Sequence, residues 1–439
     1  MSARAGSPAG TAARAVAAMA AVAATAALVA LAPAPALAQG KVCLDTTAVE
    51  RDDPGSTMGE LAYKRLSKVH DLMGEERYDE ALVEIGRMES MRLNDYEKAL
   101  MWQTYGFIHS ARGEFGKAID YFERSLAEDA LSTQAQQGML YSLAGLYQSE
   151  GRYEDAIETM RTWFRYAEEP DAGAYILVAG SFAELERYAE ALPCVQLAIE
   201  KADEPKESWY QLELAIHMEE EHYRAAADVL RTMIRLWPDK RRYWDTLSGV
   251  YLEVKEDQLA LATMMAAYNR GLITDGARIL NLVRLNLYLE NPYMAGRILQ
   301  RGLEEGRVER DVDNLNLLRS AWTSAKEYDR AVAVIDQLGR ITGDPRYYMD
   351  KASILNEQAR WEGVITAARQ ALDADTETPA RAWLLMGMAY TELDRLGEAL
   401  EAFDRVRETG DARERQNAAA WIAFVRDRQA VEAARVASG

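Results

Sequence analysis

Few side chains in this sequence have the types and spacings that support catalysis or metal binding. The residues of this kind are His70, His109, His217, His222, Cys43 and Cys194. No His-Glu-x-x-His, His-x-x-x-His or Cys-x-x-Cys spacing occurs, and neither a Gly-x-Ser-x-Gly motif nor a phosphate-binding glycine loop is present. We therefore predict no catalytic residue, no cofactor and no metal ligand, and we expect that the protein is not an enzyme.

Two of the histidines occupy a recurring helix position. His109 and His217 stand where comparable segments carry Tyr147 and Tyr251, so they are expected to be core or groove residues rather than catalytic bases. The acidic run at 219–221 is interpreted as a solvated helix end rather than a metal clamp. The enzyme alternative, for example a glycan-acting one, would need clustered carboxylates with shifted pKa values in a closed pocket.

Composition excludes several classes of protein. Of the 439 residues, 49% are hydrophobic and 28% charged, which predicts a folded chain of several domains or one long repeat array. Lys plus Arg number 51 against 70 Asp plus Glu, so the net charge is −19. We find no long basic patch, and a nucleic-acid partner is therefore not expected, because phosphate backbones repel an acidic surface.

The N-terminus resembles an export signal. Residues 1–38 begin with a segment that carries Arg4 and Arg14, continue with an uncharged Ala/Val-rich run and end in Ala36-Leu37-Ala38, which predicts a signal peptide cleaved after Ala38. An uncleaved anchor helix and a mitochondrial transit peptide are the alternatives. Lipidation is disfavoured, because Cys43 does not directly follow the cut. No later stretch is long and apolar enough to span a bilayer, so no integral span is expected after cleavage.

Export would change both the charge and the redox state. Residues 1–38 contain two arginines and no acidic residue, so the net charge of the remaining chain is −21. An oxidising compartment would allow Cys43 to pair with Cys194. The sequence leaves open whether these cysteines form a disulfide or stay as two free thiols.

One motif recurs along most of the chain. An aromatic residue is followed three positions later by alanine at Tyr78, Phe115, Tyr153, Tyr188, Tyr223 and Tyr328, and weaker copies centre on Ala260, Ala295, Val364 and Ala399. The step between copies averages about 35 residues, which is the period of a helix-hairpin repeat.

The residues around each copy predict two helices joined by a turn. Apolar residues fall three or four apart in both halves, and glycine ends the first helix in turns such as those at Gly113 and Gly151. Gly106 and Gly387 are small residues of the first helix, where we expect them to let the alanine of the second helix approach. The fold class is predicted as all-α: a right-handed α-solenoid of about ten hairpins with a C-terminal capping helix.

The predicted boundaries follow from this pattern. They are a signal peptide at 1–38, a flexible leader at 39–59, the hairpin array at 60–410, a capping helix at 411–428 and a flexible tail at 429–439. Prolines support the hairpin boundaries, at Pro170, Pro205, Pro238, Pro345 and Pro379 between hairpins and at Pro292 in a first helical turn. Pro193 is the exception and predicts a kink or a late helix start.

Over residues 60–410 these motifs resemble the tetratricopeptide repeat family. Local strings are similar to exported tetratricopeptide proteins encoded beside TonB–ExbB–ExbD energy-transducing systems; they are 117–122, 236–238, 243–244, 267–272 and 420–422. The resemblance implies a periplasmic protein-binding scaffold that is an accessory of TonB-dependent uptake, with TonB, ExbB or ExbD as partners. The alternative is a scaffold for outer-membrane or envelope polysaccharide assembly.

In this architecture the first helices line the concave side, which gives a tentative peptide-binding groove. Its predicted residues are Gln103, Phe107, Tyr141, Gln148, Gln211, Asp245, Asn316 and Asn356. Amides and aromatic rings with few charges suit hydrogen bonding and stacking along an extended peptide. The alternative for any one of them is ordinary solvated surface.

Overall fold

The computed structural model describes residues 42–44, 49–55 and 57–438. The predicted signal peptide, residues 1–38, lies outside these ranges. Within the described residues the chain forms 21 α-helices and no strand, so the predicted all-α solenoid class is confirmed. The chain divides into two compact units, Met1–Leu212 and Glu213–Gly439, which we call unit 1 and unit 2.

Unit 1 is a stack of four helix hairpins followed by the start of α9. Its helices are α1 (Glu60–Gly74), α2 (Tyr78–Gly86), α3 (Asp95–Ala111), α4 (Phe115–Ala127), α5 (Thr133–Ser149), α6 (Tyr153–Tyr166), α7 (Ala172–Glu184), α8 (Tyr188–Lys201) and α9 (Glu207–Glu219). From α1 to α8, each odd-numbered helix packs against the even-numbered helix that follows it, and each hairpin packs against the next. The apolar faces are buried in this way.

Unit 2 continues the same pattern and ends in a single helix. Its helices are α10 (Tyr223–Leu236), α11 (Arg241–Glu253), α12 (Asp257–Asn269), α13 (Gly276–Tyr288), α14 (Pro292–Glu304), α15 (Val312–Ser324), α16 (Tyr328–Thr342), α17 (Pro345–Glu357), α18 (Trp361–Asp373), α19 (Pro379–Glu392), α20 (Leu396–Thr409) and α21 (Ala412–Ser438). We use "first helices" for the odd-numbered helices α1–α19 and "second helices" for their even-numbered partners.

The turn inside each hairpin has one left-handed residue. Gly113 and Gly151 hold this position in two turns, as predicted. In the other eight turns a non-glycine residue has positive φ; these are Glu76, Glu186, Glu221, Lys255, Glu290, Lys326, Ala359 and Asp394. A left-handed residue other than glycine costs about 1–2 kcal/mol. Packing between the two helices therefore imposes the turn, whether or not glycine is present.

In two hairpins, α3–α4 and α19–α20, a ring of the second helix fills the space beside a glycine of the first helix. A Cβ built on Gly387 would lie 2.5 Å from Cε1 of Phe403, and one built on Gly106 would overlap Phe122 in the same way. Both rings are fully buried. This differs from our expectation, in which the glycine accommodated the alanine of the second helix; the alanine is small enough to be buried without that gap.

Prolines mostly lie where the pattern placed them. Pro292, Pro345 and Pro379 are the first residues of α14, α17 and α19, where the missing N–H leaves no hydrogen bond unmade. Pro193 lies inside α8, which begins at Tyr188, so the helix does not start late. Its ring removes one backbone hydrogen bond within that helix.

The leader, expected to be flexible over 39–59, contacts unit 1 at its described residues. Cys43 and Cys194 form a disulfide, with their Cα atoms 4.4 Å apart and 151 residues of sequence between them. Both cysteines are buried. The backbone N–H of Val49 donates a hydrogen bond to the carbonyl of Arg165, 2.9 Å away. The leader is thus joined to α8 and to the end of α6.

Further along, the leader binds the loop between α4 and α5. Nη1 of Arg51 donates to the carbonyl of Leu131 at 2.8 Å, and Nη2 pairs with Asp129 at 2.6 Å. The carboxylate of Asp53 accepts from the hydroxyl and the backbone N–H of Thr133, which lowers the pKa of Asp53. Since Thr133 begins α5, its N–H has no partner within that helix. The leader supplies one.

The last helix is longer than predicted. A capping helix was expected over 411–428 and a tail over 429–439, but α21 continues to Ser438. The sequence after Arg428 contains neither glycine nor proline before Gly439 and is rich in alanine, which favours a helix. α21 packs against α19 and α20, and Nη1 of Arg428 donates to the carbonyl of Thr391 at 3.2 Å.

The ring–glycine contact gives a direct test. We expect Gly387→Ala to destabilise the protein by about 1–3 kcal/mol, because the new methyl group overlaps Phe403. Gly249→Ala is the matched control: this helical glycine has open space beside it, so alanine should stabilise by up to about 1 kcal/mol. Urea unfolding followed by circular dichroism measures both.

The double variant Gly387→Ala/Phe403→Leu shows whether the ring is the cause. In the Phe403→Leu background the cost of Gly387→Ala should fall below about 1 kcal/mol, because the two positions are coupled. If Gly387→Ala lowered the free energy of unfolding equally in both backgrounds, the overlap with Phe403 would not be the cause.

Candidate interaction surface

All eight predicted groove residues lie on first helices. Their helices are α3 for Gln103 and Phe107, α5 for Tyr141 and Gln148, α9 for Gln211, α11 for Asp245, α15 for Asn316 and α17 for Asn356. None of the eight is fully buried. Their placement agrees with the repeat pattern, and their environments decide which of them remain able to contact a partner.

In unit 1, two of these residues connect neighbouring first helices. Nε2 of Gln148 on α5 donates to the carbonyl of Leu177 and to the hydroxyl of Ser181, both on α7 and both at 3.3 Å. The Tyr141 hydroxyl also reaches α7, where a Cβ on Gly173 would lie 2.9 Å from it. Gln148 therefore uses part of its hydrogen-bonding capacity to hold the stack together, and Tyr141 packs against α7.

The same role appears in unit 2. Nδ2 of Asn316 on α15 donates to the Tyr347 hydroxyl on α17 at 2.9 Å. One turn later, Nη1 of Arg319 donates to Asp350 on α17 at 3.0 Å. These polar contacts run between first helices of successive hairpins, parallel to the apolar core.

Asp245 is an ion-paired residue and not a free acceptor. Nε of Arg278 on α13 donates to its carboxylate at 3.1 Å, and Nε of Arg241 lies 3.4 Å away. Arg278 also donates to Asp275 at 3.1 Å, the residue that caps α13. A partner that binds here must compete with two guanidinium groups, so binding at this position depends on salt.

The remaining predicted residues differ in what they offer. Phe107 is 41% exposed, so its ring presents apolar area to solvent. Oδ1 of Asn356 is buried and accepts no hydrogen bond from the described residues. Gln211 receives at least one intrahelical contact, because its Nε2 donates to a glutamate one turn earlier at 3.1 Å. Gln103 is half-buried on α3, one turn before Phe107.

Sequence reasoning missed the partners of these residues, notably Arg278, Tyr347 and Asp350. The missed pairs share a similar spacing along the chain. Asp245 and Arg278 are 33 residues apart. Asn316 lies 31 residues before its partner Tyr347, and Arg319 lies 31 residues before Asp350. That spacing is about one repeat. Complementary polar residues separated by one repeat are therefore the signal that would have found them.

Charge is distributed differently over the first helices of the two units. α5 contains no charged residue, and α3 contains none after Lys98 apart from a histidine. In unit 2, by contrast, α11, α13, α15 and α17 carry the Arg–Asp contacts described above. The surfaces of α3 and α5 therefore suit a segment that is bound by hydrogen bonds and ring contacts.

His109 is part of an aromatic stack in unit 1. Its side chain is buried, and its ring lies parallel to that of Tyr121 with centroids 5.2 Å apart. Nδ1 lies 3.0 Å from a carboxylate oxygen of Glu114. Lys117, with His109 and Arg112, lowers the pKa of Glu114 to about 2. The interpretation of His109 as a packing residue agrees with this environment.

His217 is the second buried histidine and has fewer partners. Its Nδ1 has no hydrogen-bond partner among the described residues, and Nε2 lies 4.0 Å from Glu213. The ring of His222 is 6.1 Å away, and Asp228 contributes a weaker attraction. Burial lowers the pKa of His217, because the charged imidazolium loses its hydration.

The described residues form neither a metal site nor a bilayer-spanning helix. They contain no group of three or more His, Cys, Asp or Glu side chains arranged to hold a metal ion. No helix among them combines the length and apolar character that a bilayer crossing requires.

The lowered pKa of His217 predicts acid sensitivity. Its stabilising contribution is complete above the ordinary histidine pKa of 6.5 and is lost as the pH falls below it, because the unfolded chain then binds a proton that the folded chain rejects. The urea midpoint should therefore fall more for the wild type than for His217→Phe between about pH 7.5 and about pH 5.5. His70→Phe, at an exposed histidine, is the control and should retain the full drop.

Comparison with known proteins supports the repeat assignment locally. A tetratricopeptide repeat family model matches residues 380–406, which cover nearly all of α19 and most of α20. No curated protein matches the chain. The match supports the tetratricopeptide resemblance of this hairpin.

Solved structures similar to the chain are tetratricopeptide repeat proteins of low sequence identity. One, from Parabacteroides merdae, is 15% identical and covers 60% of this chain and 99% of its own, with a TM-score of 0.35. MamA from Desulfovibrio magneticus is 16% identical over 42% of this chain and 99% of its own, with a TM-score of 0.35. The P58(IPK) tetratricopeptide domain is 10% identical over 84% and 99%, with a TM-score of 0.24. At these TM-scores nothing about function follows.

Proposed function

We propose that this protein is an exported scaffold that binds an extended segment of a partner protein along its first helices. The observation that carries the proposal is the surface of α5 and of α3 after Lys98, which has no Asp, Glu, Lys or Arg and presents an exposed Phe107 ring and the amides of Gln103 and Gln148, in a chain of net charge −19. Side-chain amides can bind a peptide backbone, which offers both donors and acceptors, and rings can contact its apolar side chains.

Export is part of the proposal and has two supports. The first is the signal-peptide pattern of residues 1–38. The second is the disulfide between Cys43 and Cys194, since disulfides persist in oxidising compartments and are rare in reducing ones. The proposed location is therefore the periplasm.

The proposed partner is a component of a TonB–ExbB–ExbD system. The support is the similarity of the local strings at 117–122, 236–238 and 267–272 to accessory proteins of such systems. The net charge of −21 after signal removal would also attract a proline- and lysine-rich periplasmic linker of the TonB class. Such a proline-rich linker is largely extended, as the proposed binding mode assumes.

Thiol accessibility tests export. In protein recovered from the native cell envelope, we expect neither Cys43 nor Cys194 to react with a maleimide until a reductant and a denaturant are added. Cys43→Ser/Cys194→Ser should destabilise the protein by about 5 kcal/mol, because the bridge closes a loop of about 150 residues. Chain expressed in a reducing cytoplasm is the control. Two reactive thiols in the envelope protein would contradict export.

Site-specific crosslinking tests the partner. A photo-crosslinking residue at Phe107 should capture TonB, ExbB or ExbD in cells, because this side chain lies on the proposed surface and is exposed. The same residue at Val83, which is 63% exposed on a second helix, is the control and should not. Adducts with polysaccharide or outer-membrane assembly proteins instead would support the alternative system. Equal amounts of crosslinked partner from both positions would contradict the proposal that the first helices form the binding surface.

A further inference from the structure

The face of α21 that points away from the stack carries a regular stripe. Its residues alternate by four and three positions and are all exposed; they are Arg413, Asn417, Ala420, Phe424, Asp427, Val431 and Ala434. Phe424 is 53% exposed and Val431 63%. The opposite face, with Ala418, Ile422 and Val425, is buried against the preceding hairpin. A four-and-three alternation is the spacing of a helix seam that packs on another helix.

The repeat period shows that this face is unusual. Met386 and Ala389 of α19 lie 35 residues before Trp421 and Phe424, and both are buried in the core. A terminal repeat normally presents a polar outer surface, because no neighbour covers it. Here the last helix carries two large aromatic residues at positions that the preceding repeat buries.

A groove adjoins the stripe. It has a volume of about 290 Å³ and is lined by Glu392, Ala420, Trp421 and Phe424. The Trp421 ring is stacked on the buried Phe403 with centroids 5.7 Å apart, which holds the groove wall in place. The groove is open above Ala420, the smallest residue of its lining.

We propose that α21 of a second copy of this chain covers the stripe, in antiparallel orientation about a two-fold axis that crosses the stripe at the level of residue 422 along the helix. This register places the large Phe424 opposite the small Ala420 and Asn417 opposite Asp427, while Arg413 lies opposite Val431. Phe424 of each copy enters the groove above Ala420 of the other, and Asn417 of each copy donates a hydrogen bond to Asp427 of the other. Both pairs occur twice, as in any isologous interface.

The antiparallel orientation follows from charge and size. A parallel pair would place Arg413 against Arg413 and Asp427 against Asp427, and like charges at a seam repel. It would also set Phe424 against Phe424 and leave both Ala420 positions unfilled. The 27 residues of α21 give a helix about 40 Å long, enough for three heptads of contact.

Sedimentation of the oxidised chain lacking residues 1–38 tests the pairing. The wild type should pass from monomer to dimer as its concentration rises. Phe424→Glu should weaken the dimer about a hundredfold or more, because two buried rings are replaced by two charges. Leu61→Glu is the matched control, since Leu61 is 72% exposed on α1, and should leave the dimer unchanged. Circular dichroism verifies that each variant retains its helices.

A second variant tests the register. Asn417→Arg should tighten an antiparallel dimer about tenfold, because each new guanidinium meets Asp427 of the other copy. In a parallel dimer the same change would bring two arginines together and weaken it. The proposal is overturned by a wild type that stays monomeric at every concentration, by a dimer that Phe424→Glu leaves intact, or by weakening on Asn417→Arg.

Discussion

Two hairpins, α3–α4 and α19–α20, depend on the contact between a ring of the second helix and a glycine of the first. Phe122 over Gly106 and Phe403 over Gly387 set the distance between the two helices. The turn inside each of the ten described hairpins has a left-handed residue, even where the sequence supplies glutamate, lysine, alanine or aspartate. The strain of about 1–2 kcal/mol in each such turn is tolerated because the apolar side chains buried between the two helices contribute more.

Local periodicity was enough to predict most of the fold. The aromatic-x-x-alanine step located six hairpins and its weaker copies located the other four, and proline marked the starts of α14, α17 and α19. Features without periodicity were not predictable in this way. The contacts of Arg51 and Asp53, and the disulfide at Cys43, occur once each and join residues about 80 to 150 positions apart. No repeat pattern encodes them, and each depends on the assembled stack.

The sequence predicted which helices carry the eight candidate residues, but it did not predict the contacts that their side chains make. Helical spacing correctly placed all eight residues on first helices, since it requires only the 3.6-residue period. Whether a side chain faces solvent or a neighbouring helix depends on the next hairpin. That difference separates Phe107, which stays exposed, from Asp245, which two arginines of the stack neutralise. The residue pattern of a single helix therefore cannot predict which of these side chains stay exposed.

The leader stabilises unit 1 without occupying the first-helix surface. Its side-chain contacts from Arg51 and Asp53 go to the loop before α5 and to the first residue of that helix, and its backbone contact from Val49 goes to the end of α6. Helix ends carry unpaired backbone groups, so an extended segment can bind there by satisfying them. The faces of α3 and α5 that carry Phe107 and Gln148 make no described contact with the leader. The disulfide closure of unit 1 is therefore compatible with the proposed partner binding, because the two involve different parts of the same hairpins.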